Sequence, residues 1–400
     1  MTSHLREDSF APGQIIRKSL GFKEKIAPAL ISDYHSELVK KIVENGNLWK
    51  AGELTFRLAS SFGFCYGVDR AVELAYEARE RFPDKRIFLT AEIIHNPRVN
   101  SNLKEMGFHF LERAEDITKE DVVVLPAFGA TAPLIDQVRA KGAIMVDTIC
   151  GSVLNVWKRV ESYAENGITA VIHGKYYHEE TLATSSRVVL YPGGKYLIVL
   201  NMEEAAMVCD YIRQPWGREA FLAKFAKMAS PGFDPDLDLK QVGVANQTTM
   251  LMSESLAIAE ELRKALLDRY GSEHVQQHFR NFDTICSATE DRQNAILDLA
   301  KEKLDLMLVV GGYNSSNTNH LCKMASTFTK SFHIADASCL ISLQEIRHKP
   351  SHQFEPIVSR DWIATGPLAI GITSGASTPN QVMGEVIERL IALRQEANPS

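Results

Sequence analysis

Residues 143–150 read AIMVDTIC, and residues 152–167 read SVLNVWKRVESYAENG. The first is an apolar run of strand length, and in the second the apolar residues recur at helical spacing. Cys150 therefore stands where a predicted strand ends and a predicted helix begins. The tetrapeptide Asp-Thr-Ile-Cys occurs again at 283–286, followed once more by a helical pattern, so the arrangement is repeated within the chain.

A third copy lies around Cys65, and the segments after the three cysteines also correspond. A strand-like run leads in each copy to a polar position at nearly constant distance: His95 is 30 residues after Cys65, His178 is 28 after Cys150, and Asn314 is 28 after Cys286. A strand, a small-residue loop and a helix then recur as VVVLPAFGATAPLIDQV, VGVANQTTMLMSESL and LAIGITSGASTPNQVMGEV. Such alternation predicts an α/β fold of three similar units with small parallel sheets, each contributing one cysteine and two polar loops to a common centre.

The repeat also predicts how the chain is divided. The expected segments are an N-terminal extension at 1–55, a first α/β unit at 56–147, a second unit at 148–282 with a surface insertion at about 185–240, a third unit at 283–370, and a strand, loop and helix at 371–400 that close the fold. Within the extension, one amphipathic helix is expected at about 33–44.

The composition excludes several classes of protein. No apolar run approaches the roughly 20 residues of a membrane span, and the N-terminus lacks the apolar core of a signal peptide. A net charge of −6 argues against a nucleic-acid partner. No phosphate-binding glycine motif of a nucleotide or nicotinamide site follows a strand. We therefore predict a cytoplasmic enzyme, and if it is a reductase its electrons come from another protein.

The three repeated cysteines are the strongest chemical signal. A helix N-terminus favours the thiolate, which is the form that binds soft metals and iron–sulfur clusters. Three thiolates suit a [4Fe–4S] cluster with one open iron, or a zinc site completed by His95 or His178. Cys209, Cys322 and Cys339 have no repeat partners, and we expect them to be core residues.

The polar loops of the repeat predict an anion site. The loops include 314–317, 247–249, 374–379 and His95-Asn96-Pro97, and several of them open helices. Helix N-termini that point to one place bind phosphate groups without a lysine cluster. Glu180 or Glu179 could supply a proton at this centre, and spacing alone does not choose between them.

Eight motifs in order make the chain resemble a known family, 4-hydroxy-3-methylbut-2-enyl diphosphate reductase of the cyanobacterial and plant branch. They are GFCYGVDRA (63–71), AEIIHNPRV (91–99), DTIC (147–150), HEET (178–181), NQTT (246–249), TICSATEDRQ (284–293), VVGGYNSSNTNHL (309–321) and GITSGASTP (371–379). The resemblance implies a pseudo-threefold arrangement around a [4Fe–4S] cluster. It also implies reductive dehydroxylation of the diphosphate substrate to isopentenyl and dimethylallyl diphosphate, the last step of the methylerythritol phosphate pathway.

The resemblance also assigns residues. The cluster ligands would be Cys65, Cys150 and Cys286; the diphosphate would be held by His95, His178, Ser315, Asn317 and Ser377, with Ser316 nearby; and Thr248 would orient the hydroxymethyl end, with Gln247 and Thr249 close by. Glu180 rather than Glu179 would be the proton source. Ferredoxin would be the electron donor, with flavodoxin as the alternative.

The chain departs from many bacterial members at two places. It has Phe128 where they have a histidine, and His178-Glu179-Glu180 where they have His-Pro-Glu. Two other interpretations remain at this point: a quinolinate synthase-like dehydrating enzyme with another three-cysteine cluster, and a non-enzymatic iron–sulfur or zinc sensor that binds a phosphorylated effector.

Overall fold

The computed structural model describes residues 10–282 and 284–397. The strands are β1 (Ile15–Ile16), β2 (Leu48–Ala51), β3 (Leu54–Leu58), β4 (Ile87–Leu89), β5 (Phe108–Phe110), β6 (Val122–Leu125), β7 (Ile144–Asp147), β8 (Thr169–His173), β9 (Tyr196–Val199), β10 (Val242–Asn246), β11 (Phe279–Asn281), β12 (Leu306–Val310), β13 (Ser331–Ile334), β14 (Glu345–His348), β15 (Ile357–Arg360) and β16 (Leu368–Ser374).

The helices alternate with these strands along most of the chain. They are α1 (Lys23–Tyr34), α2 (Glu37–Glu44), α3 (Tyr66–Arg81), α4 (Pro97–Glu105), α5 (Ala132–Ala140), α6 (Gly151–Glu165), α7 (Glu179–Val188), α8 (Met202–Arg213), α9 (Arg218–Lys224), α10 (Pro235–Asp238), α11 (Met252–Tyr270), α12 (Val275–His278), α13 (Ser287–Leu299), α14 (Ser316–Ala325) and α15 (Asn380–Ala397). None of the described helices is long and apolar enough to cross a membrane.

Three small sheets form the body of the molecule. The first has the strand order β1-β7-β6-β4-β5, the second β11-β10-β8-β9, and the third β13-β12-β16-β3-β2. All neighbours within these sheets run parallel except β2 and β3. The predicted α/β class with small parallel sheets is therefore confirmed.

The central strands are buried on both faces, as parallel sheets require. In β6, Val122 and Val124 belong to one apolar cluster, whereas Val123 and Leu125 belong to another on the opposite face. The second and third sheets are likewise enclosed by two clusters each. This double burial explains why the strands are continuous apolar runs rather than alternating patterns.

The sheets connect differently from the predicted segments. The strand at 54–58, most of which the repeat assigns to the first unit, pairs with β16 in the third sheet. By contrast, β7 and β11 lie in the first and second sheets, where the predicted segments put them, although the cysteines after them open helices packed on the next sheet. Each cysteine therefore lies on a crossover between two units, which brings all three to the centre. The segment 371–400 supplies most of β16, a central strand of the third sheet.

Two further predictions need correction. The helix expected at about 33–44 is two helices, because the chain is extended at His35 and Ser36 caps α2 by accepting a hydrogen bond from the Val39 amide. The supposed surface insertion at 185–240 contains β9, which pairs with β8 and is largely buried. The N-terminal extension also joins the body, since β1 pairs with β7.

Candidate functional site

The three repeated cysteines meet at one central cavity. Cys65, Cys150 and Cys286 are the N-cap residues of α3, α6 and α13, so the predicted position at helix N-termini is confirmed. All three line the same cavity, and all three are free thiols. We call this side of the cavity the cysteine wall. The positive ends of three helices meet there, and they favour negative charge on sulfur.

Close packing at the cysteine wall leaves little space for other side chains. A Cβ atom on Gly67 would lie 2.5 Å from Sγ of Cys150, so glycine is required at this position. Burial raises the pKa of the Cys65 thiol and raises that of Cys286 to about 11, because an isolated thiolate is poorly solvated there. A positively charged group bound between the sulfurs would offset this cost.

The spacing of the sulfurs distinguishes a cluster from a single metal ion. The three Sγ atoms are not all within 4.8 Å of one another. Two thiolates on one Zn²⁺ can be at most about 4.6 Å apart, because each Zn–S bond is about 2.3 Å. The described set of possible ligands within that limit is instead His95, His178 and Glu179, which includes no cysteine. The cysteine wall therefore fits a multi-iron cluster better than zinc completed by histidine.

The cavity brings together nearly all the predicted site residues. Besides the cysteines it is lined by Glu180, Thr248, Thr249, His95, His178, Ser315, Ser316, Asn317 and Ser377. We call His95, His178, Ser315, Ser316, Asn317 and Ser377 the donor wall. Gln247 does not line the cavity. Its Oε1 accepts hydrogen bonds from the Lys175 amide and the Thr181 hydroxyl, so its side chain supports the loops from behind.

Three polar atoms on the donor wall have no hydrogen-bond partner. Nε2 of His95, Nε2 of His178 and Oγ of Ser316 are buried and form no hydrogen bond with any described residue. Buried polar groups are normally paired, so an unpaired set around one cavity indicates a missing ligand. The His178 N–H and the Ser316 hydroxyl can donate to the oxygens of a phosphate group, whereas Nε2 of His95 lies 3.8 Å from Oε2 of Glu179.

The tautomer of His178 is fixed by its own helix. Nδ1 of His178 accepts a 3.2 Å hydrogen bond from the Glu180 amide at the start of α7. The proton of the neutral ring must then be on Nε2, which makes Nε2 a donor. Burial lowers the pKa of His178 to about 3, so the ring is neutral at physiological pH. It therefore binds an anion through an N–H group and not through a full charge.

Hydrogen bonds between units hold the donor wall together. The Ala376 amide donates to Oδ1 of Asn317 at 3.1 Å, and the Ser377 hydroxyl donates weakly to the His95 carbonyl at 3.4 Å. Ser315 caps α14 by accepting from the Thr318 amide. The first turn of α14 is thereby presented to the cavity, where its free amides add to the anion site.

Glu180 lies between the two walls and is 3% exposed. Its Oε1 accepts a 2.6 Å hydrogen bond from the Thr248 amide. Burial raises the pKa of this carboxyl to about 7, although the hydrogen bonds from Thr248 oppose the shift. Glu180 can therefore hold a proton near neutral pH. Glu179 is exposed and does not line this cavity, so the geometry itself distinguishes the two glutamates.

Phe128 occupies the position where many bacterial members have histidine. Its ring stacks on His95 with the centroids 4.7 Å apart and the planes 11° apart. Nδ1 of His95 donates to Oε2 of Glu92 at 3.0 Å, because a carboxylate only accepts. Nε2 faces the cavity and can donate there only when the ring carries a proton on both nitrogens. Phe128 thus fixes the orientation of this ring and contributes no donor of its own.

Sequence analysis missed two residues of this region, and both are on α13. Oγ1 of Thr289 lies 3.0 Å from Sγ of Cys286 and accepts a longer hydrogen bond from Asn317, so it links the two walls. Arg292 is buried and contacts the loop before Cys65. The signal for Thr289 was available, since a residue three positions after Cys286 faces the same side of a helix.

Comparisons with known proteins show which family this chain resembles. The family model described as LytB protein matches residues 56–391. A relative from Thermosynechococcus vestitus, 4-hydroxy-3-methylbut-2-enyl diphosphate reductase, is 48% identical over 391 residues, which cover 96% of each chain. The Synechococcus enzyme of the same name is 47% identical over 386 residues, covering 95% of this chain and 96% of that one.

Solved structures show the same fold. A structure of (E)-4-hydroxy-3-methyl-but-2-enyl diphosphate reductase has a TM-score of 0.52 at 25% identity, covering 84% of this chain and 98% of the other. The Plasmodium falciparum E-1-hydroxy-2-methyl-but-2-enyl-4-diphosphate reductase has a TM-score of 0.61 at 21% identity, covering 83% and 86%. With its matched family model and its closely similar relatives, the chain belongs to the LytB protein family.

Proposed function

We propose that this protein converts 4-hydroxy-3-methylbut-2-enyl diphosphate to isopentenyl and dimethylallyl diphosphate by reductive dehydroxylation, the last step of the methylerythritol phosphate pathway. The observation that carries this proposal is one buried cavity with three thiols on one side and three unpaired polar side-chain atoms on the other. The names of the relatives favour this reaction over a quinolinate synthase-like enzyme or a sensor. The overall change consumes two electrons and two protons and releases water.

Cys65, Cys150 and Cys286 would hold a [4Fe–4S] cluster. When bound by three cysteines, such a cluster supplies an open iron as a Lewis acid and delivers electrons one at a time. Three observations on this chain support the cluster. The three Sγ atoms form no set that lies within 4.8 Å of one another, each cysteine stands at a helix N-terminus, and an isolated thiolate would be costly to bury there.

The donor wall would bind the diphosphate. Nε2–H of His178 and the Ser316 hydroxyl are already desolvated and unpaired, so phosphate oxygens would satisfy them without displacing protein hydrogen bonds. Nε2 of His95 would donate as well when its ring is doubly protonated, since Nδ1 already donates to Glu92. Ser315, Asn317 and Ser377 would complete the set around the start of α14. This wall fixes one end of the substrate and directs the hydroxymethyl end toward the cysteine wall.

Glu180 would be the proton source for the departing hydroxyl. Because Oε1 accepts from the Thr248 amide, the proton is carried on Oε2. A carboxyl with a pKa near 7 can both hold and release a proton at physiological pH. Thr248 would orient this carboxyl and the substrate hydroxyl, while Thr249 lines the same side and Gln247 supports their loop.

The cavity wall also excludes water. Thr248, Glu180, Ser316 and Asn317 are all at most 5% exposed. Water would compete with the substrate hydroxyl for its place in the cavity, so burial favours the reduction.

The electron donor is proposed to be ferredoxin, with flavodoxin as the alternative, and the reaction is placed in the cytoplasm. The chain has no glycine-rich nucleotide motif after a strand, which supports a protein as donor over a nicotinamide.

Anaerobic dye oxidation tests this function. The purified protein is checked for iron and sulfide, and oxidation of a reduced viologen is followed on addition of the diphosphate substrate. We expect substrate-dependent oxidation with isopentenyl and dimethylallyl diphosphate as products. A protein with iron and sulfide that oxidises no dye with this substrate would contradict the proposal.

A further inference from the structure

Arg292 is a buried cation that the proposed reaction does not use. It lies on α13, two turns after Cys286, and is 4% exposed. Its guanidinium donates to the Gly63 carbonyl at 2.6 Å and to the Ala288 carbonyl at 2.8 Å. The first carbonyl belongs to the loop that leads to Cys65, and the second to the first turn after Cys286. Arg292 thus connects two of the three cysteine junctions.

The charge of Arg292 has no carboxylate partner. No ion pair joins it to any acidic side chain in the described part of the chain, and Nε forms no hydrogen bond there either. A buried charge without a counterion is costly, so such residues usually face an opposite charge. Burial lowers the pKa of Arg292, whereas the charges of Cys65, Cys286 and the exposed Asp291 raise it. Arg292 also lines one pocket together with Cys65, so its charge lies beside the cysteine wall, where a cluster held by thiolates would supply the buried counter-charge.

We propose that Arg292 supplies a fixed positive charge that raises the reduction potential of the cluster held by the cysteine wall. The proposal rests on the proposed function, because it requires a cluster at Cys65, Cys150 and Cys286. Adding one electron from a protein donor makes the cluster more negative by one charge. The reduced form carries more negative charge, so a buried cation near the cluster stabilises the reduced form more than the oxidised form.

Substitutions at position 292 can separate the effect of the charge from the effect of the hydrogen bonds to the carbonyl groups. Lysine at position 292 would keep the charge and lose the two-pronged hydrogen bonding, whereas glutamine would keep a donor and lose the charge. Arg79 provides a matched control. It donates to the Pro83 and Lys85 carbonyls and also has no carboxylate partner among the described residues, but it lies in the last turn of α3, far from Cys65 at the start of that helix.

The experiment is a redox titration of reconstituted wild type, Arg292→Lys, Arg292→Gln and Arg79→Gln, followed by electron paramagnetic resonance. Iron and sulfide are measured first in each. We expect Arg292→Gln to show at least a tenfold lower ratio of reduced to oxidised cluster at a fixed potential, equal to a downward shift of about 59 mV for one electron. Arg292→Lys should stay closer to wild type than Arg292→Gln, and Arg79→Gln should be unchanged.

Other outcomes overturn the proposal. An unchanged potential in loaded Arg292→Gln would mean that the charge does not act on the cluster. Equal shifts in the lysine and glutamine variants would mean that Arg292 acts through its hydrogen bonds. If Arg292→Gln holds no iron, Arg292→Met is titrated instead, and loss of iron from both neutral variants would assign Arg292 to assembly. A wild type without iron and sulfide would overturn the proposed function as well.

Discussion

The cysteine wall and the donor wall face each other across one cavity but are built differently. Each unit junction contributes one cysteine to the first wall at an equivalent helix N-terminus. The donor wall is unequal, because the third unit supplies Ser315, Ser316, Asn317 and Ser377, whereas the other two supply one histidine each.

This difference follows from what each wall is proposed to bind. A cluster presents equivalent iron corners, so three equivalent cysteines match it. A diphosphate presents an elongated, one-sided array of oxygens, and a repeated donor set would leave some donors unpaired. In the first unit Phe128 fills the corresponding space by stacking on His95. The repeat is therefore kept where the ligand is symmetric and lost where it is not.

Breaking the cysteine wall should have the largest effect. We expect Cys65→Ser, Cys150→Ser and Cys286→Ser each to lose most bound iron and all measurable turnover, because each sulfur is one of the three proposed ligands. Cys322→Ala is the control, since Cys322 is buried in an apolar cluster of the third unit. Iron analysis and the dye assay measure both. Full iron content in any one of the three serine variants would remove that cysteine from the ligand set.

Replacing the Glu180 carboxyl, which carries a proton between the two walls, should have the next largest effect. Glu180→Gln keeps the shape of the side chain, so we expect normal iron content and a fall in kcat of about 100-fold or more, the usual contribution of a general acid. Glu179→Gln, on the exposed neighbour, should change kcat far less. Equal effects of the two substitutions would mean that Glu180 is not the proton source.

The same carboxyl predicts a pH dependence. The pKa of Glu180 is raised to about 7, and the protonated form is the proposed proton source, so kcat should fall as the pH rises above 7. Steady-state rates between pH 6 and 9 measure this, with the dye potential held constant. A kcat that increases steadily over this range would contradict an acid role for Glu180.

Weakening the donor wall should have a smaller effect, and this effect should be confined to substrate binding. Ser316→Ala removes one unpaired donor, and a hydrogen bond to a charged group is worth about 1.5–3 kcal/mol, so we expect KM to rise about tenfold or more. Iron content and the spectrum of the bound cluster should not change. Ser326→Ala, at the far end of α14, is the control. An unchanged KM would mean that Ser316 does not contact the substrate.

The last prediction concerns stability and not turnover, and it involves the neutral histidine rings that the fold keeps buried. Burial lowers the pKa of His173, His320 and His333 to about 4 each. Histidine in the unfolded chain binds a proton as the pH falls below about 6.5, whereas these buried rings stay neutral until about pH 4. The folded state therefore keeps its full stability above pH 6.5 and loses stability as the pH falls toward 4.

Within that window, each of these histidines should lower the free energy of unfolding by about 1.4 kcal/mol for each unit by which the pH falls. Glu180 has the opposite sign, because its raised pKa makes the folded state bind a proton between about 4.5 and 7. Denaturant unfolding of the apo-protein at several pH values measures the net slope. Stability that does not decrease between pH 6.5 and 5 would contradict the neutral buried histidines.

The cysteine wall was predictable because its signal is local. A cysteine between a strand-like and a helix-like run is visible in each copy, and Asp-Thr-Ile-Cys occurs twice. The sheet that receives each strand was not predictable in this way. The apolar run at 54–58 would fit any of three parallel sheets, and only tertiary packing pairs it with β16. Strand β9 was overlooked because the corresponding edge strands, β5 and β13, differ from it in sequence.

The donor wall was predictable only in part. His95 and His178 follow from constant spacing after a cysteine, but their roles came from the family resemblance. Gln247 was placed at the cavity with its neighbours, yet its side chain turns to the Lys175 amide and the Thr181 hydroxyl. Arg292 was overlooked because its contact with the Gly63 carbonyl joins residues 229 positions apart. Contacts between units leave no local pattern.

The most direct test of the two-walled cavity is Mössbauer spectroscopy of the ⁵⁷Fe-reconstituted protein with and without the diphosphate substrate. A cluster held by three cysteines has one iron unlike the other three, and the account predicts that only this quarter of the signal changes when substrate binds. It also predicts that Ser316→Ala requires more substrate for the same change. Four equivalent irons, or a spectrum that saturating substrate leaves unaltered, would contradict the account.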